Sequence, residues 1–489
     1  MESSDRKRKA PAEEQDNTCP YLDTVQRSVL DFDFEPSCSV SLQSGPHIYG
    51  CLVCGKFFRG RGPQTPAYTH SVQDGHFVFV HLTNSKFYCL PDNYEIKDAS
   101  LNDIAAALHP SFTKEEVAKI DQGTELARDL FGRRYLPGFV GLNNLNKTDC
   151  INACVQALAH IPPLRDFFLL QDSMASYNTT QGTDKASNSS NLQKISRNTS
   201  SQAVSAHRMS QHVTHCFGEL VRKMWSDKRF KAHIDPHMLT QAIAVASKNK
   251  FRIGTQMEAG EFMAWFLHQL HMGLGGSVKK PGSSIIHRIF QGKVQVTTRQ
   301  LKKVETSLED EAEKDDRGGS DAEEEDEEMA DANKSDSKES KEEDEKETRK
   351  LEEAIIETNF LQLTLNISEK PLFRDDDGGL VIPQEPLVTV LKKFDGVSFS
   401  DLVNKAGEPQ RRRYRLRQLP PYLILHLARF KTNRFLKEKN PTIVAFPVKN
   451  LDLSNYVFPT DDDMDENGHK KRPKLPTEEE VRAMSVSLS

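Results

Sequence analysis

The 489-residue chain is 28% charged and 37% hydrophobic, too long for one ordinary domain and too polar to sit in a bilayer. No apolar run reaches the roughly 20 residues that a membrane helix needs, and residues 1–16 are charged rather than an apolar leader, so the sequence reads as an intracellular protein with no membrane partner. Its net charge of −6 is unevenly placed: residues 301–350 hold 22 acidic and 10 basic side chains, a local −12 that leaves +6 for the rest.

In chain order, residues 1–16 read as a disordered basic tail. The tail's Arg6-Lys7-Arg8-Lys9 and the later Lys470-Lys471-Arg472-Pro473-Lys474 have the composition that import receptors read, which points to the nucleus. Residues 17–114 carry Cys19, Cys38, Cys51, Cys54 and Cys89, which are not spaced like the disulfide ladder of a secreted domain. With strand-like alternation at 77–80 and 86–89, this is a small metal-stapled domain. Residues 115–134 form a connector, and apolar Val117, Ile120, Leu126 and Leu130 predict a helix along it.

A larger unit spans 135–457 and is interrupted twice. Residues 173–205 are rich in Ser, Asn, Thr and Gln and cannot repay their ordering entropy by burial. Residues 303–350 are the acidic block, held extended by like-charge repulsion. Both insertions are expected to be disordered, as is a tail at 458–489. Helical patterns near 213–225 and 258–274 precede strand-like runs at 360–367, 422–427 and 442–448, an order that predicts an α+β protein.

Cys51 and Cys54 form a CxxC knuckle followed by His70 and His76. Two thiolates and two imidazoles are the donor set that tetrahedral Zn2+ prefers, and four protein ligands leave no open position for chemistry. Such a structural site contributes roughly 10–16 kcal/mol of apparent binding energy to folding. His47, His81, Cys19, Cys38 and Cys89 are further donors, and the sequence leaves open whether they form a second site or exchange into this one.

The run Cys51-Leu-Val-Cys54-Gly55-Lys56-Phe57-Phe58, the histidines His70 and His76, and Phe87-Tyr88-Cys89 resemble the ubiquitin-hydrolase type of zinc finger. Members of that family that grip the free C-terminus of ubiquitin use an Arg directly after the Cys-Gly pair. Lys56 stands there in this sequence and lacks the bidentate fork of Arg, which argues against ubiquitin binding.

Residues 141–158 resemble the cysteine box of ubiquitin-specific proteases, GLxNLGNTCYMNSxLQ, at Gly141, Leu142, Asn144, Leu145, Thr148, Asn152 and Gln156. Gln256-Met-Glu-Ala-Gly-Glu261-Phe262 is similar to the QQDAxEF box. Leu419 to Phe430 is similar to the LPxxLxxxLxRF strand, and Phe446-Pro447 with Leu451-Asp452-Leu453 to the FP…LDL element. The resemblance implies a papain-like fold of thumb, palm and fingers behind the zinc finger.

It also implies where chemistry would sit. Active members place a cysteine thiolate at a helix start, with a His base and an oxyanion-stabilising Asn. Here the nucleophile position is Asp149 and the oxyanion position is Asn144. A carboxylate is a poor nucleophile toward an unactivated amide. Cys150 lies about 100° further round the helix, and Cys154 reads as core. No counterpart of the family's closing HxGxxxxGHY box follows Tyr456, and His469 sits in a loop-like context, so the fold is expected to be C-terminally incomplete, as in a shortened isoform or an imperfect gene model. No cysteine follows Cys216, so the fingers carry no zinc ribbon. The chain is expected not to be an enzyme.

The Gly-Leu-Asn-Asn-Leu…Asp149 box, Cys89-Leu-Pro-Asp-Asn-Tyr94-Glu-Ile and Lys439-Asn-Pro-Thr-Ile-Val444 are similar to one branch of the family, the tri-snRNP-associated splicing factors. That similarity implies a non-catalytic scaffold in pre-mRNA splicing, with spliceosomal tri-snRNP proteins as partners. The alternatives are a ubiquitin-binding adaptor and a weakly active deubiquitinase. Gln410-Arg411-Arg412-Arg413-Tyr414-Arg415 is a candidate contact for RNA or an acidic partner.

Overall fold

The computed structural model describes residues 19–123, 125–170, 201–303, 349–368, 373–374, 380–403, 409–432 and 437–458. The expected basic tail, the acidic tail and His469, and the interiors of both insertions lie outside the described residues.

The N-terminal unit is a five-stranded antiparallel sheet in the order β2-β1-β3-β4-β5, formed by β1 (Ile48–Cys51), β2 (Phe57–Arg59), β3 (Val78–His81), β4 (Phe87–Cys89) and β5 (Tyr94–Ile96). Helix α1 (Pro66–Asp74) packs beside β2. Pro66 opens it, where its missing N–H costs nothing, and Gly75 closes it at φ 69°, a left-handed conformation that glycine adopts without strain. One face of the sheet buries Ile48, Val78, Val80 and Leu82 against α2 (Asn102–Leu108).

Helix α3 (Lys114–Ile120) begins with a capping box in which Thr113 and Glu116 satisfy each other's backbone N–H. The helix predicted across the connector stops there. Residues 125–135 instead form a hairpin of β6 (Ala127–Arg128) and β7 (Arg134–Tyr135), turned by the Asp129 carboxylate, which accepts from the N–H groups of Phe131 and Arg133. Leu126 and Leu130, which suggested the helical stripe, are exposed.

The second unit has a helical lobe: α4 (Asp149–Ala159), α5 (Pro162–Leu170), α6 (Ser201–Trp225), α7 (His237–Ala246), α8 (Ala259–Gly273) and α9 (Ile285–Phe290). These share one core around Phe167, Phe168, Phe217, Phe262 and Phe266. Two short strands, β8 (Gly141–Leu142) and β9 (His233–Ile234), pair in parallel at its edge. Helix α6 already includes Ser201–Ser205, so the first insertion ends earlier than the composition suggested.

The strand-rich part holds the hairpin of β10 (Gly292–Lys303) and β11 (Arg349–Phe360), which takes in both ends of the segment read as acidic insertion. After β12 (Leu363–Asn366), β13 (Phe373–Arg374), β14 (Leu380–Val381), β15 (Gln384–Pro386) and helix α10 (Leu387–Leu391) come β16 (Asp395–Val403) and β17 (Pro409–Gln418), then β18 (Leu425–Ala428), β19 (Phe430–Thr432), β20 (Lys437–Lys439) and β21 (Ile443–Ala445). A four-stranded sheet, β11-β10-β17-β16, projects as the fingers, while parallel pairs β12–β18 and β15–β21 lie under a second core around Leu365, Leu391 and Leu416. Helix, then strand, in one unit is the α+β order expected. No cysteine lies in the fingers, whose strands are held by pairing and packing.

The two units meet through residues 30–36. Asp33 accepts from Lys223 Nζ at 3.1 Å and from the Asp235 N–H at 3.1 Å, and Lys223 also donates to Phe32 O at 2.6 Å. Asp31 pairs with Lys231, and Glu35 accepts from Gln241 at 2.8 Å. Phe32, Phe34, Ile48, Phe57, Leu82 and Met238 are among the residues around a cavity of about 150 Å³ beside these pairs.

Candidate functional site

Two sites carry the sequence motifs. In the first, Cys51 ends β1 and Cys54 lies in the turn that follows. That turn closes on Gly55, whose N–H donates to Cys51 O at 2.9 Å, while the Cys51 N–H donates to Lys56 O at 2.9 Å. Gly55 has φ 75°, and a Cβ there would stand 2.3 Å from Val29 O, so only glycine fits the knuckle. His70 points from α1 and His76 follows the Gly75 stop.

The four side chains predicted to bind metal converge: their ligand atoms all lie within 4.8 Å of one another. His70 Nε2 is 3.4 Å from Cys54 Sγ and 3.0 Å from His76 Nδ1, about the spacing of donors sharing an ion at tetrahedral zinc bond lengths. Burial, with Cys54 alongside, pushes the Cys51 thiol up, so a thiolate there calls for a cation. The residues therefore fit a metal ion, which would supply a crosslink between β1 and α1.

Sequence reasoning missed Asp74. Its carboxylate holds His70 Nδ1 at 2.6 Å, leaving Nε2 for the metal, the usual outer partner of a ligating histidine. The i,i+4 spacing on α1 was a legible signal. The further donors do not form a second site among the described residues: Cys19 and Cys89 share a hydrogen-bonded cluster with Tyr94, Cys38 is buried in the core, and His81 Nδ1 faces the N–H groups of Thr83 and Asn84.

In the second site, Asp149 is the first residue of α4 and is exposed. A carboxylate in a first helical turn is stabilised by the unpaired N–H groups. The loop before it holds Asn146 and Lys147 at φ 73° and 56°. Asn144 Oδ1 accepts from Thr148 N at 2.9 Å and Thr148 Oγ1 at 3.2 Å, and Thr148 Oγ1 accepts from Leu145 N. Asn152 donates to the carbonyls of Leu142 and Asn143, and Gln156 to that of Val140. The polar residues of the box thus bind the loop to the helix.

Cys150 and Cys154 are both buried in the helical core, hydrogen-bonded to each other. That bond draws the Cys150 thiol down and pushes Cys154 up. Glu258 pairs with His426 Nε2 at 3.3 Å, and Gly260 lets α8 lie against that ring, where a Cβ would approach it to 2.3 Å. Arg429 donates to the carbonyls of Asn440 and Thr442, joining two of the motif segments.

A small Cys/His finger ahead of a helical lobe, a sheet and projecting fingers defines a ubiquitin-specific-protease fold with its own zinc-finger-type domain. Residues 140–470 match the family "Ubiquitin carboxyl-terminal hydrolase", and residues 38–101 match "Zn-finger in ubiquitin-hydrolases and other protein". The chain belongs to the ubiquitin carboxyl-terminal hydrolase family. It is 40% identical over 90% of its length to "Ubiquitin carboxyl-terminal hydrolase 39" of Homo sapiens, covering 67% of that protein. It is 35% identical over 94% of its length to "Probable mRNA-splicing protein ubp10" of Schizosaccharomyces pombe, covering 75% of that relative. "Crystal structure of an essential yeast splicing factor" describes a solved chain with the same fold, at TM-score 0.56 and 24% identity, covering 87% of this chain and 82% of that one.

Proposed function

We propose that this chain is a non-catalytic scaffold subunit of pre-mRNA splicing, assisting assembly or maintenance of the tri-snRNP in the nucleus, and that its Cys51, Cys54, His70 and His76 site binds structural zinc. The observation that carries the reading is Asp149: the box's Asn144 and Asn152 hydrogen-bond its loop to the helix, yet the helix opens with a carboxylate where the family's chemistry needs a thiolate. Asn144, at the oxyanion position, shapes that loop through its oxygen, and its N–H donors have no oxyanion to serve where no thiolate attacks. A relative named as an mRNA-splicing protein at 35% identity supports the pathway.

The exposed Lys56 leaves the finger without the Arg fork that ubiquitin's tail takes. The Arg-rich run lies on β17, where Arg411 pairs with Asp401 at 2.8 Å and Arg417 lies 3.7 Å from Glu357. Neighbouring carboxylates offset that charge, so protein contacts are favoured over RNA.

The test is sedimentation of nuclear extract containing the tagged full chain. Migration with particles holding the U4, U5 and U6 RNAs is expected, unchanged in Asp149→Ala. A chain found only among free proteins would overturn the scaffold reading.

A further inference from the structure

Strand edges are ordinarily guarded, because a row of unpaired N–H and C=O groups invites another strand. Most edges here are. In the metal finger the edge strands β2 and β5 are three residues each. In the fingers sheet one edge, β16, has its register broken between Asp395 and Phe399.

The other edge of that sheet is different. β11 is a 12-residue strand paired with β10 without interruption, from Gly292 opposite Phe360 to Lys303 opposite Arg349. Among the described residues nothing pairs with its outer side. Its stretch from Glu353 to Asn359 is exposed on both faces and contains neither Pro, Gly nor Lys. Ile355 and Ile356 point to opposite faces and are 60% and 56% exposed. A long, regular edge that between 353 and 359 has no Pro, Lys or register break, and carries only Glu353 and Glu357 as charges, is costly to leave bare.

We infer that the outer edge of β11, from Glu353 to Asn359, is a docking site for an extended strand of another protein, which adds to the fingers sheet as a fifth strand. This inference rests on the scaffold reading and names the surface through which a scaffold would be held. Main-chain hydrogen bonds would supply affinity and the alternating side chains specificity. One face offers Glu353, Ile355 and Glu357. Glu353 lies 3.3 Å from Arg299 and 4.0 Å from Arg413, whereas Glu357 has only Arg417, 3.7 Å away, and stays 53% exposed, so Glu357 is the carboxylate with room for a partner's cation. The other face offers Ala354, Ile356 and Thr358. The partner strand therefore carries a basic residue on one face and β-branched apolar residues on the other.

A second copy of this chain fits less well. Antiparallel pairing of two β11 strands centred on Ile355 would set Glu353 opposite Glu357 twice, where like charges are destabilising, and centring on Ile356 would set Glu357 opposite Ile355 and Glu353 opposite Asn359, so neither register brings the carboxylates a cation.

The experiment uses the full chain, wild type and Ile355→Lys/Ile356→Lys, with a fluorescein-labelled peptide of residues 292–303, the sequence that already pairs with β11 on its inner side. Both isoleucines are exposed, so an unchanged melting curve is expected; Ala354→Lys replaces the double variant if it misfolds. Peptide binding by anisotropy is expected for the wild type, with amide exchange in 353–359 slowed at least about tenfold and both effects lost in the variant. Absence of binding and protection overturns the inference. So does protection that grows with protein concentration without peptide, alongside a dimer mass, since the occupant is then a second copy. Particle sedimentation separates the two proposals. If wild type and variant both travel with the particles, the edge inference fails and the scaffold reading stands. If the wild type does not travel, the scaffold reading fails and the peptide result alone decides the edge.

Discussion

The metal finger and the cysteine box were found by the same kind of motif, yet their residues have different fates. In the finger, Cys51, Cys54, His70 and His76 all arrive at one point, and the hydrogen bonds around them orient ligand atoms. In the box, Asn144, Thr148, Asn152 and Gln156 bind the loop to the helix, and at the start of that helix stands Asp149. A motif in an enzyme family mixes residues that react with residues that shape the loop. Under the scaffold reading the second set persists where the first has changed, because it holds the helix and its preceding loop together.

The comparison breaks most sharply at the metal. Chelation, or Cys54→Ser, should remove most of the roughly 10–16 kcal/mol that a structural zinc site supplies. Loss of the cooperative near-ultraviolet transition assigned to the finger would show it, with metal analysis returning zinc for the wild type. A finger that melts unchanged in chelator would mean that the four ligands are ordinary core residues.

A smaller effect is expected in the box. Asn152 is buried and serves two carbonyls of the β8 segment, so Asn152→Ala should cost about 1–3 kcal/mol in denaturant unfolding. A cost near zero would imply that the box residues are relics without a structural role.

Acid should loosen the helical lobe by less. Burial pushes His215 and His287 down to about 4 from an ordinary 6.5. Between those values the unfolded chain binds protons that the folded chain refuses, so stability falls as pH drops from 6.5 toward 4. The two together are checked by urea midpoints across that range. His215→Gln should flatten its share. At lower pH the contact between the units should follow: burial opposes the charge on Asp33, but Lys223 and the Asp235 N–H hold its carboxyl below 3.8, a contribution lost only under stronger acid.

How far the sequence carried depended on range. The CxxC knuckle and its two histidines lie within 26 residues, and the box lies within one loop and one helix, so local spacing was enough. The helix predicted across 115–134 went wrong because apolar spacing said nothing of Asp129, whose side chain turns the hairpin, or of the exposure of Leu126 and Leu130. The strap at 30–36 was illegible for another reason. Its partners Lys223, Lys231 and Asp235 lie about 200 positions away, and alternating Asp and Phe there carries no sign of which surface it meets. The pair Glu258–His426 was hidden in the same way, each half lying in a recognised motif whose relation to the other is set only by packing.

The central claim is that the box is architecture and not chemistry, and the most direct measurement is hydrolysis of a ubiquitin C-terminal fluorogenic amide by the zinc-loaded full chain. The account predicts no turnover above the buffer blank for wild type, Asp149→Ala and Cys150→Ser alike. Turnover by the wild type that vanishes in Cys150→Ser would contradict it, since the buried Cys150 would then have to reach the substrate.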